Sequence, residues 1–581
     1  MFGLSIITFV DQSGVALSPD LFKISCPMDP SKSIISLILL FFITSCTTFE
    51  KADKIYINGN IYTGIERDTR YNYIAIKDDI ILSLGLDTYH HLIYDSTIII
   101  DLNNNFTLPG FIDNHTHLMW GGATLRSINL KDINEKDKFI QAFRDYTFNK
   151  TDNSWIEGGN WDHENWGGML PSKSWIDSIT SKNPVLVTRI DGHMALSNSA
   201  ALKAAGINKL TPNPPGGIIE RNSLTGEATG ILKENAIDLV RNIIPKKTNE
   251  IKDEIFNASM KHAASLGLTQ VHDMCSWDDL LTFRRNKDVL TLRIKGYTWY
   301  ENWNDLKMLI NSEGIGDDML RWNGLKAMVD GSLGSRTAWM HNHYLDEKNS
   351  KGFLIIKDTI QFKKLILDVD NHNIQLAVHA IGDRANDWII DQFFQVFNSN
   401  GKKDRRFRIE HAQHLTQKGI NNIINSDIIP SMQPYGCIDD TRWMHKRITT
   451  DLMSRSYVFN TFIQNGVNLT FGSDWDVTPL NPLEGIYAAV SRKTLDGSNP
   501  DGWYPEQKIS IFEAIKCYTK NNAYAGFQEK KTGILKEGFY ADFTVLSEDL
   551  TSINIENILD VKVMRTVVGG KEVYTKYKTG E

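Results

Sequence analysis

The sequence is poor in cysteine and has no excess of positive charge, and each shortage excludes a class of protein. Its 581 residues include only five cysteines, widely spaced at Cys26, Cys46, Cys275, Cys437 and Cys517. Because there is no C-x-x-C pair and no dense set of cysteines, the sequence predicts neither a zinc ribbon nor a disulfide framework. The formal net charge of -7 argues against a nucleic-acid surface, which normally shows clustered positive charge.

Long apolar runs and internal repeats are also missing. The most apolar stretch, residues 34–43, is interrupted only by Ser36. About ten residues span roughly 15 Å as a helix, which is half of a bilayer core, so a transmembrane helix is not predicted. Lys32 precedes the stretch and small residues follow it up to Cys46. This layout is typical of the apolar region of a signal peptide.

The four residues that end at Cys46, Ile-Thr-Ser-Cys, resemble a bacterial lipobox, in which the cysteine is lipidated and becomes the new N-terminus. Such signals begin close to the start of a chain, and Met28 lies at a suitable distance. We therefore predict that translation starts at Met28, that residues 1–27 are an upstream extension, and that residues 1–46 direct export and lipid anchoring to a bacterial membrane. The alternative is a hydrophobic strand or a short buried helix at the N-terminus.

Extended segments occur at both ends of the remaining chain. Residues 54–63, 73–84 and 97–102 are rich in isoleucine and tyrosine and are separated by turn signals. After a predicted helix over residues 511–525, extended segments return at 543–546 and 561–568. We predict one small β-sandwich built from residues 50–107 and 530–581.

Between these ends, short apolar runs alternate with amphipathic segments of helical length, which is typical of β/α units. Eight such units predict an α/β fold, a (β/α)₈ barrel over residues 108–529 with an insertion at about 129–249 after the first strand. A doubly wound open sheet is the alternative, since periodicity alone does not close a barrel. The predicted strands are residues 107–113, 269–273, 292–297, 325–329, 375–378, 407–409, 428–432 and 467–471, and helical periodicity is clearest in residues 254–266, 359–371 and 381–397.

A pair of histidines ends the first predicted barrel strand. In Leu-Pro-Gly-Phe-Ile-Asp-Asn-His-Thr-His, which begins at Leu108, His115 and His117 are two residues apart. Side chains alternate along a strand, so both imidazoles face one side and are able to bind one divalent metal. The alternative, and by itself the commoner one, is a pair of histidines in solvent or in a hydrogen-bonded core. His341 and His343 have the same spacing, but aromatic neighbours there favour packing in a loop.

Further polar residues follow later strands. His379, His411 and Asp474 each lie within three residues after the end of a predicted strand. The carboxyl ends of barrel strands converge on one site, so these residues are predicted to join His115 and His117 there. Each has a structural role as its alternative. Histidines with one carboxylate suit zinc, with iron or manganese as alternatives.

These motifs together resemble the amidohydrolase superfamily, and specifically its YtcJ-like (amidohydrolase-3) branch. The resemblance runs in the family's order from about residue 54 to the C-terminus. It is carried by the segment ending at His117, Gly-Asn-Trp-Asp at 159–162, Asp-Gly-His at 191–193, Asn-Ser-Ala at 198–200, Gly-Gly-Ile at 216–218, Gly-Leu-Thr at 267–269, Lys-Ala-Met-Val-Asp-Gly-Ser-Leu-Gly-Ser at 326–335, His-Ala-Ile-Gly-Asp at 379–383, Glu-His-Ala-Gln at 410–413, Phe-Gly-Ser-Asp-Trp at 471–475 and Gly-Phe-Tyr-Ala-Asp at 538–542.

The resemblance implies a metal site and the identity of its ligands. The implied ligands are His115, His117, His379, His411 and Asp474. Lys326 corresponds to a lysine that is often carboxylated and bridges two metals, which implies one or two metal ions per chain. An unmodified lysine would repel a metal, and the alternative for Lys326 is a salt bridge to Asp330, which would leave one metal.

The implied reaction is hydrolysis of an amide-like, non-peptide C–N bond in a small molecule, with Asp474 moving the proton as general base and then acid. His193 is a candidate for contacting the substrate or oxyanion, and Arg336 for binding a substrate carboxylate. Trp161, in the aromatic-rich insertion, is a candidate for the substrate pocket. Structural roles are the alternatives for these three residues. Two other functions remain open, an esterase or lactonase using the same site and a surface-tethered protein that binds a ligand without turnover. Oligomeric state is not predicted.

Overall fold

The computed structural model of the protein describes residues 50–131, 133–148 and 150–576. The predicted lipidation site Cys46, the predicted start at Met28 and the whole segment 1–46 lie outside the described residues. Within the described part of the chain, no helix is both long and apolar enough to cross a membrane.

Two sheets pack around one apolar core, and one of them contains strands from both chain ends. Tyr56 and Ile76, from the first part of the chain, are buried in this core with Phe543 and Val567 from the last part. The rings of Tyr56 and Phe543 meet edge to face with centroids 5.0 Å apart. In sheet order, one sheet contains Ile80–Gly85, Tyr73–Lys77, Lys54–Ile57 and Ile98–Asp101, and the other contains Asn60–Ile61, Phe106–Pro109, Phe543–Leu546, Val563–Val568 and Lys571–Thr575.

Eight parallel strands form the barrel, and the predicted fold class is confirmed. The sheet closes between its last and first strands, because Asp474 N–H donates to His115 O (2.7 Å) and His117 N–H donates to Trp475 O (2.9 Å). The strands are β1 (Phe111–Thr116), β2 (Leu268–Cys275), β3 (Arg293–Trp299), β4 (Leu320–Met328), β5 (Gln375–Ala380), β6 (Arg408–His411), β7 (Ile429–Met432) and β8 (Thr470–Phe471), hydrogen-bonded in that order.

The first strand departs from its predicted position, residues 107–113. The extended run from Phe106 to Thr116 serves two sheets, because Phe106–Pro109 pairs in the sandwich and only β1 belongs to the barrel. Gly110 separates the two parts, and a side chain there would clash with Thr269 of β2. Alternation alone predicted one strand because the backbone remains extended across both sheets.

Helices cover the barrel, and side-chain caps fix where several begin. Ser276 accepts from Asp279 N–H while Asp279 accepts from Ser276 N–H, a reciprocal cap that starts the helix after β2. The α-helices are Leu118–Thr124, Lys136–Thr147, Ser199–Ala204, Asp238–Arg241, Asn249–Ser265, Trp277–Arg285, Trp303–Glu313, Thr359–Asn371, Asp383–Asn400, Gln417–Ile424, Pro434–Asp440, Thr450–Met453, Phe459–Gln464, Pro482–Ser491, Ile511–Cys517 and Lys520–Ala525.

The single helix predicted over residues 511–525 is in fact two helices, Ile511–Cys517 and Lys520–Ala525. At the break, Thr519 has φ of -134°, which is outside the helical region. The carbonyl of Tyr518 accepts a hydrogen bond from Ile112 N–H of β1 at 2.7 Å. The chain therefore leaves the helix where it bonds to the barrel, a tertiary contact that periodicity does not reveal.

The insertion between β1 and β2 contains a sheet of its own. Helix Lys136–Thr147 packs Phe139 and Phe143 against this sheet, and Trp161 is buried in the same core. In sheet order, the strands are Gly217–Arg221, Ala228–Glu234, Met194–Ser197, Val185–Arg189, Ile156–Trp161 and Ile128–Asn129.

Candidate active site

The two histidines of the first barrel strand point at one carboxylate oxygen. His115 lies on β1 and His117 immediately precedes helix Leu118–Thr124. Their Nε2 atoms lie 3.3 Å and 3.2 Å from the same Oδ1 of Asp474, which follows β8. Two imidazole nitrogens and one carboxylate oxygen therefore converge where the barrel closes.

Hydrogen bonds at the opposite ring nitrogens fix both imidazoles. His115 Nδ1 lies 2.6 Å from Glu410 Oε2, and His117 Nδ1 lies 2.9 Å from the carbonyl oxygen of Met274. Because both partners only accept, each Nδ1 carries the proton, and each Nε2 presents its lone pair to the site. This is the arrangement that metal-binding histidines adopt in proteins.

His411 completes a group that is able to hold a metal ion. The ligand atoms of His115, His411 and Asp474 all lie within 4.8 Å of one another. His411 and Asp474 have positive φ of 70° and 59°, an uncommon conformation for residues with side chains. Backbone strain of this kind clusters at functional sites, where surrounding structure holds it in place. A buried set of nitrogen and oxygen donors suits a divalent metal.

His379 and Lys326 adjoin this group. The His379 ring lies across that of His411 with centroids 4.4 Å apart, and its Nε2 is 3.1 Å from the carbonyl oxygen of Gly331. Lys326 Nζ lies 3.2 Å from His115 Nε2. Among the described ion pairs, none joins Lys326 to Asp330, whose carboxylate instead accepts from three backbone N–H groups. The structure thus brings all six predicted metal-site residues to one end of the barrel.

The protonation states of two of the histidines also suit a metal, whereas for His117 burial lowers the pKa but the Asp474 carboxylate outweighs it and raises the pKa. Burial, assisted by the nearby Lys326, lowers the pKa of His115 to about 4, and burial lowers that of His411 to about 3. Both imidazoles are therefore neutral at pH 7, as ligation requires. Burial lowers the pKa of Lys326 to about 8, which increases its neutral amine fraction. Burial opposes the charge on Asp474, but His115, His117 and His411 outweigh it and hold the Asp474 pKa well below its usual range.

The sequence analysis did not predict the ion pair between Arg408 and Glu410, which lies next to His115. Arg408 Nε donates to Glu410 Oε1 (2.7 Å), and its Nη2 donates to Glu410 Oε2 (2.9 Å), the oxygen that also holds His115. All three side chains are buried. The signal was the alternation Arg-Ile-Glu-His at 408–411, which places Arg408 and Glu410 on one face of β6. Glu410 thus positions His115 rather than facing the site itself.

A cavity of about 80 Å³ that is partly open to solvent lies above the metal group. The insertion supplies one wall, and the loops after β4 and β6 to β8 supply the others. The lining mixes carboxylate, amide, hydroxyl and imidazole groups with apolar side chains. Besides His379, His411 and Asp474, the lining includes Asp162, Arg189, Ile190, Asp191, His193, Ser332, Leu333, Gly334, Ile381, Gln413, Gln433, Gly436, Asp439, Asp440, Tyr457, Val477 and Thr478.

Comparison with known proteins identifies the family. The Amidohydro_3 model, described as "Amidohydrolase family", matches residues 99–574. The chain belongs to the amidohydrolase family. It is 35% identical over 540 residues to Protein LONG AFTER FAR-RED 3 of Arabidopsis thaliana, covering 90% of this chain and 92% of that protein. It is 30% identical over 538 residues to the putative amidohydrolase YtcJ of Bacillus subtilis (strain 168), covering 90% and 99%.

Two more distant similarities add detail. N-substituted formamide deformylase of Arthrobacter pascens is 23% identical over 544 residues, covering 89% of this chain and 97% of that enzyme. The crystal structure of an uncharacterized metal-dependent hydrolase from Pyrococcus furiosus superposes with a TM-score of 0.67 and 26% identity, covering 86% and 100%. The chain is therefore a hydrolase of the amidohydrolase type, and the predicted family is confirmed.

In this amidohydrolase, the insertion brings His193 to the cavity. His193 Nδ1 lies 2.9 Å from Glu234 Oε2, and the His193 ring lies 5.3 Å from that of His379. Burial lowers the pKa of His193, but the carboxylates of Glu234 and Asp191 outweigh it and raise the pKa to about 9. An imidazolium at pH 7 donates from both nitrogens, so one N–H is available to the cavity.

Two other predicted residues do not line the cavity. Arg336 forms ion pairs with Asp346 (Nη2 to Oδ2, 3.0 Å) and Glu347 (3.7 Å). Trp161 is buried in the core of the insertion and donates through Nε1 to Val187 O at 3.0 Å. Both side chains therefore have the structural contacts that were given as the alternatives to their predicted roles.

The arginine that does line the cavity is Arg189, at the end of strand Val185–Arg189. Its guanidinium donates to Asp162 and to Asp191, each at 2.7 Å. The sequence analysis missed Arg189 because no barrel strand precedes it. Asp162 and Asp191, which the family motifs contain, were the available signal.

Proposed function

We propose that the enzyme hydrolyses an amide-like, non-peptide C–N bond of a small molecule, and that zinc is the metal it uses. The observation that carries the proposal is the convergence of His115 Nε2 and His117 Nε2 on one oxygen of Asp474, beside His411. The similarity to N-substituted formamide deformylase, whose name specifies an amide bond, supports the choice of bond. The similarity to a metal-dependent hydrolase supports the use of a metal.

His115, His117, His411 and Asp474 would hold the ion, with His379 beside them. When bound there, a divalent metal acts as a Lewis acid that lowers the pKa of water and polarises a carbonyl group. A carboxylated Lys326, 3.2 Å from His115, would supply oxygen ligands for a second ion. Arg408 and Glu410 keep His115 oriented, which holds Nε2 in position before metal arrives.

Asp474 moves the proton. Its carboxylate accepts a proton from the attacking water as the oxygen adds to the carbonyl carbon. It then donates that proton to the nitrogen as the C–N bond breaks, so the products are a carboxylic acid and an amine. The low pKa of Asp474 keeps the carboxylate ionised before the reaction.

His193 donates a hydrogen bond to the carbonyl oxygen. Negative charge develops on this oxygen when water adds, and a charged donor stabilises it more than it stabilises the uncharged substrate. Glu234 holds the imidazolium in place from the opposite nitrogen. The donor group is thus ordered before the substrate binds.

A matched panel of substrates tests the reaction. We expect the zinc-loaded enzyme to hydrolyse N-alkyl formamides or acetamides, measured as amine release, more efficiently than esters of the same acyl and alkyl groups. A clear preference for esters or lactones would replace the proposal with an esterase using the same site. Substrate binding without any turnover would favour the surface-tethered binding protein.

We also propose that the enzyme is exported and lipid-anchored through Cys46, on the strength of the lipobox-like residues before it. If so, the full chain expressed in a bacterium should sediment with membranes, whereas a Cys46→Ala variant should not be acylated. Labelling with a fatty-acid probe measures this directly. Equal labelling of the two chains would rule out Cys46 as the anchor, and Cys517→Ala, which removes a buried thiol, is the control.

A further inference from the structure

Among the five aspartates that line the cavity, Asp440 differs from the rest in its partners. Asp474 belongs to the metal group. Asp162 and Asp191 share the guanidinium of Arg189, and Asp439 pairs with Arg442. None of the described residues forms an ion pair with Asp440.

Asp440 ends the helix Pro434–Asp440, which follows β7, and only neutral groups hold its carboxylate. Gln413 Nε2 donates to Asp440 Oδ2 at 3.0 Å, and the Tyr457 hydroxyl donates to the same oxygen at 3.1 Å. Both contacts fall on one oxygen, which orients the carboxylate without neutralising it. The carboxyl group of Asp440 therefore keeps one orientation at the cavity wall.

A desolvated carboxylate without a cation is costly, and the cost falls when a ligand supplies the missing charge. Burial raises the pKa of Asp440 to about 7, a sign of how poorly this charge is stabilised in the free protein. The neighbouring carboxylate of Asp439 acts in the same direction, whereas Arg189, which lies beyond ion-pair distance, and the hydrogen bonds from Gln413 and Tyr457 lower the pKa. A positively charged group at Asp440 would therefore bind more favourably than a neutral group of the same shape.

The cavity's one lining arginine does not favour an anion. Both Nη atoms of Arg189 already donate to carboxylates, Nη1 to Asp191 and Nη2 to Asp162. A substrate carboxylate would have to displace one of these buried pairs. At Asp440 the lining thus presents a partly ionised carboxyl group that has no ion-pair partner, and the cavity has no arginine that is free of one, so an anionic substrate tail is disfavoured at this position.

We propose that Asp440 is a specificity-determining residue that binds a positively charged nitrogen of the substrate. The substrate is then an amide that carries a second nitrogen, as an ammonium or amidinium group, apart from the bond that is cleaved. This inference rests on the proposed function, because it places the cleaved bond at the metal group and the cationic group at Asp440.

A comparison of isosteric substrates tests it. N-acetylputrescine and N-acetylcadaverine are compared with N-pentylacetamide and N-hexylacetamide, in which a methyl group replaces the ammonium group, and with 5-acetamidopentanoate. The N-formyl compounds form a parallel set. We expect kcat/KM to favour the cationic members by about tenfold or more, since a hydrogen bond to a charged partner is worth about 1.5–3 kcal/mol.

Replacing Asp440 then tests whether this residue causes the preference for cationic substrates. Asp440→Asn should remove the preference while leaving kcat/KM for the uncharged amides within about threefold of the wild-type value. Asp439→Asn is the matched control, because Asp439 lies next along the same helix but has Arg442 as its partner. An equal loss for cationic and uncharged amides, or the same loss in Asp439→Asn, would overturn the assignment.

Equilibrium binding separates this inference from the proposed reaction. Calorimetry of the zinc-loaded enzyme compares hexylamine, which is an ammonium ion at neutral pH, with 1-hexanol, an uncharged molecule of the same shape. We expect hexylamine to bind about tenfold more tightly, since a hydrogen bond to a charged partner is worth about 1.5–3 kcal/mol, and Asp440→Asn to abolish the difference. That result without any amide turnover would retain the cation site and refute the proposed reaction. Equal affinities in the wild-type enzyme would refute the cation site.

Discussion

Asp474→Asn should lower kcat about a thousandfold and leave the metal bound. General acid–base groups contribute about 10²–10⁴-fold to rate, and asparagine has no carboxylate to accept the proton from water. His115, His117 and His411 remain to hold the ion, and the amide oxygen of asparagine occupies the place of the lost carboxylate oxygen. Steady-state kinetics on the best amide substrate, with elemental analysis of the same sample, measures both effects.

The rate and the metal content must be measured together. A fall in rate that tracks a fall in metal content would show that Asp474 acts only as a ligand. A rate close to the wild-type value with metal bound would remove Asp474 from the proton-transfer step. Asp451→Asn is the control for substitution itself, because Asp451 pairs with Arg455 at the surface and away from the cavity.

The double variant His115→Ala/His117→Ala should lose the metal and the activity. The wild-type enzyme should contain one or two zinc ions per chain, and the variant well under one. The rate should fall by about a thousandfold or more, because several kcal/mol of transition-state stabilisation depend on the ion. Elemental analysis of chains that lack residues 1–46, purified without chelator, measures the metal content.

The chain provides a matched control for this variant. His341 and His343 repeat the same spacing, but His341 Nε2 lies 3.0 Å from Asp387 Oδ2 and its side chain is 46% exposed. His341→Ala/His343→Ala should keep both metal and activity. Metal loss from this control, or metal retained by His115→Ala/His117→Ala after dialysis, would contradict the assignment. Circular dichroism of each variant separates loss of the ion from loss of the fold.

Local periodicity predicted much of the barrel. A strand places every second side chain on one face, so His115 and His117 were predicted to point the same way, and the strand ends were predicted to converge if the eight β/α units form a barrel. The same reasoning placed His379, His411 and Asp474 just after predicted strands; in the structure His379 and His411 lie in the last residues of β5 and β6, and Asp474 follows β8. These relations depend on the order of residues along the chain, which is why the sequence reveals them.

Contacts between different parts of the chain limit what the sequence can predict about the site. Arg336 was a reasonable candidate because it follows a strand of the barrel, but Asp346 and Glu347 hold it outside the cavity. Arg189 lines the cavity because the insertion's own sheet carries it there. Glu410 supports His115 from a strand far along the chain. No periodicity links such partners, since their proximity exists only after the sheets have packed.

The pairing of strands in the β-sandwich also means that residues of the site are synthesised before the strand that anchors their segment. The extended run that becomes β1 begins in Phe106–Pro109, whose antiparallel partner is Phe543–Leu546. A ribosome makes that partner after nearly all of the barrel, so a nascent chain has His115 and His117 long before it has the strand that anchors their segment. Asp474 and the closing strand β8 also emerge late. A chain that ends before residue 474 therefore lacks one residue of the candidate metal group, and a chain that ends before residue 543 lacks the strand that pairs with Phe106–Pro109.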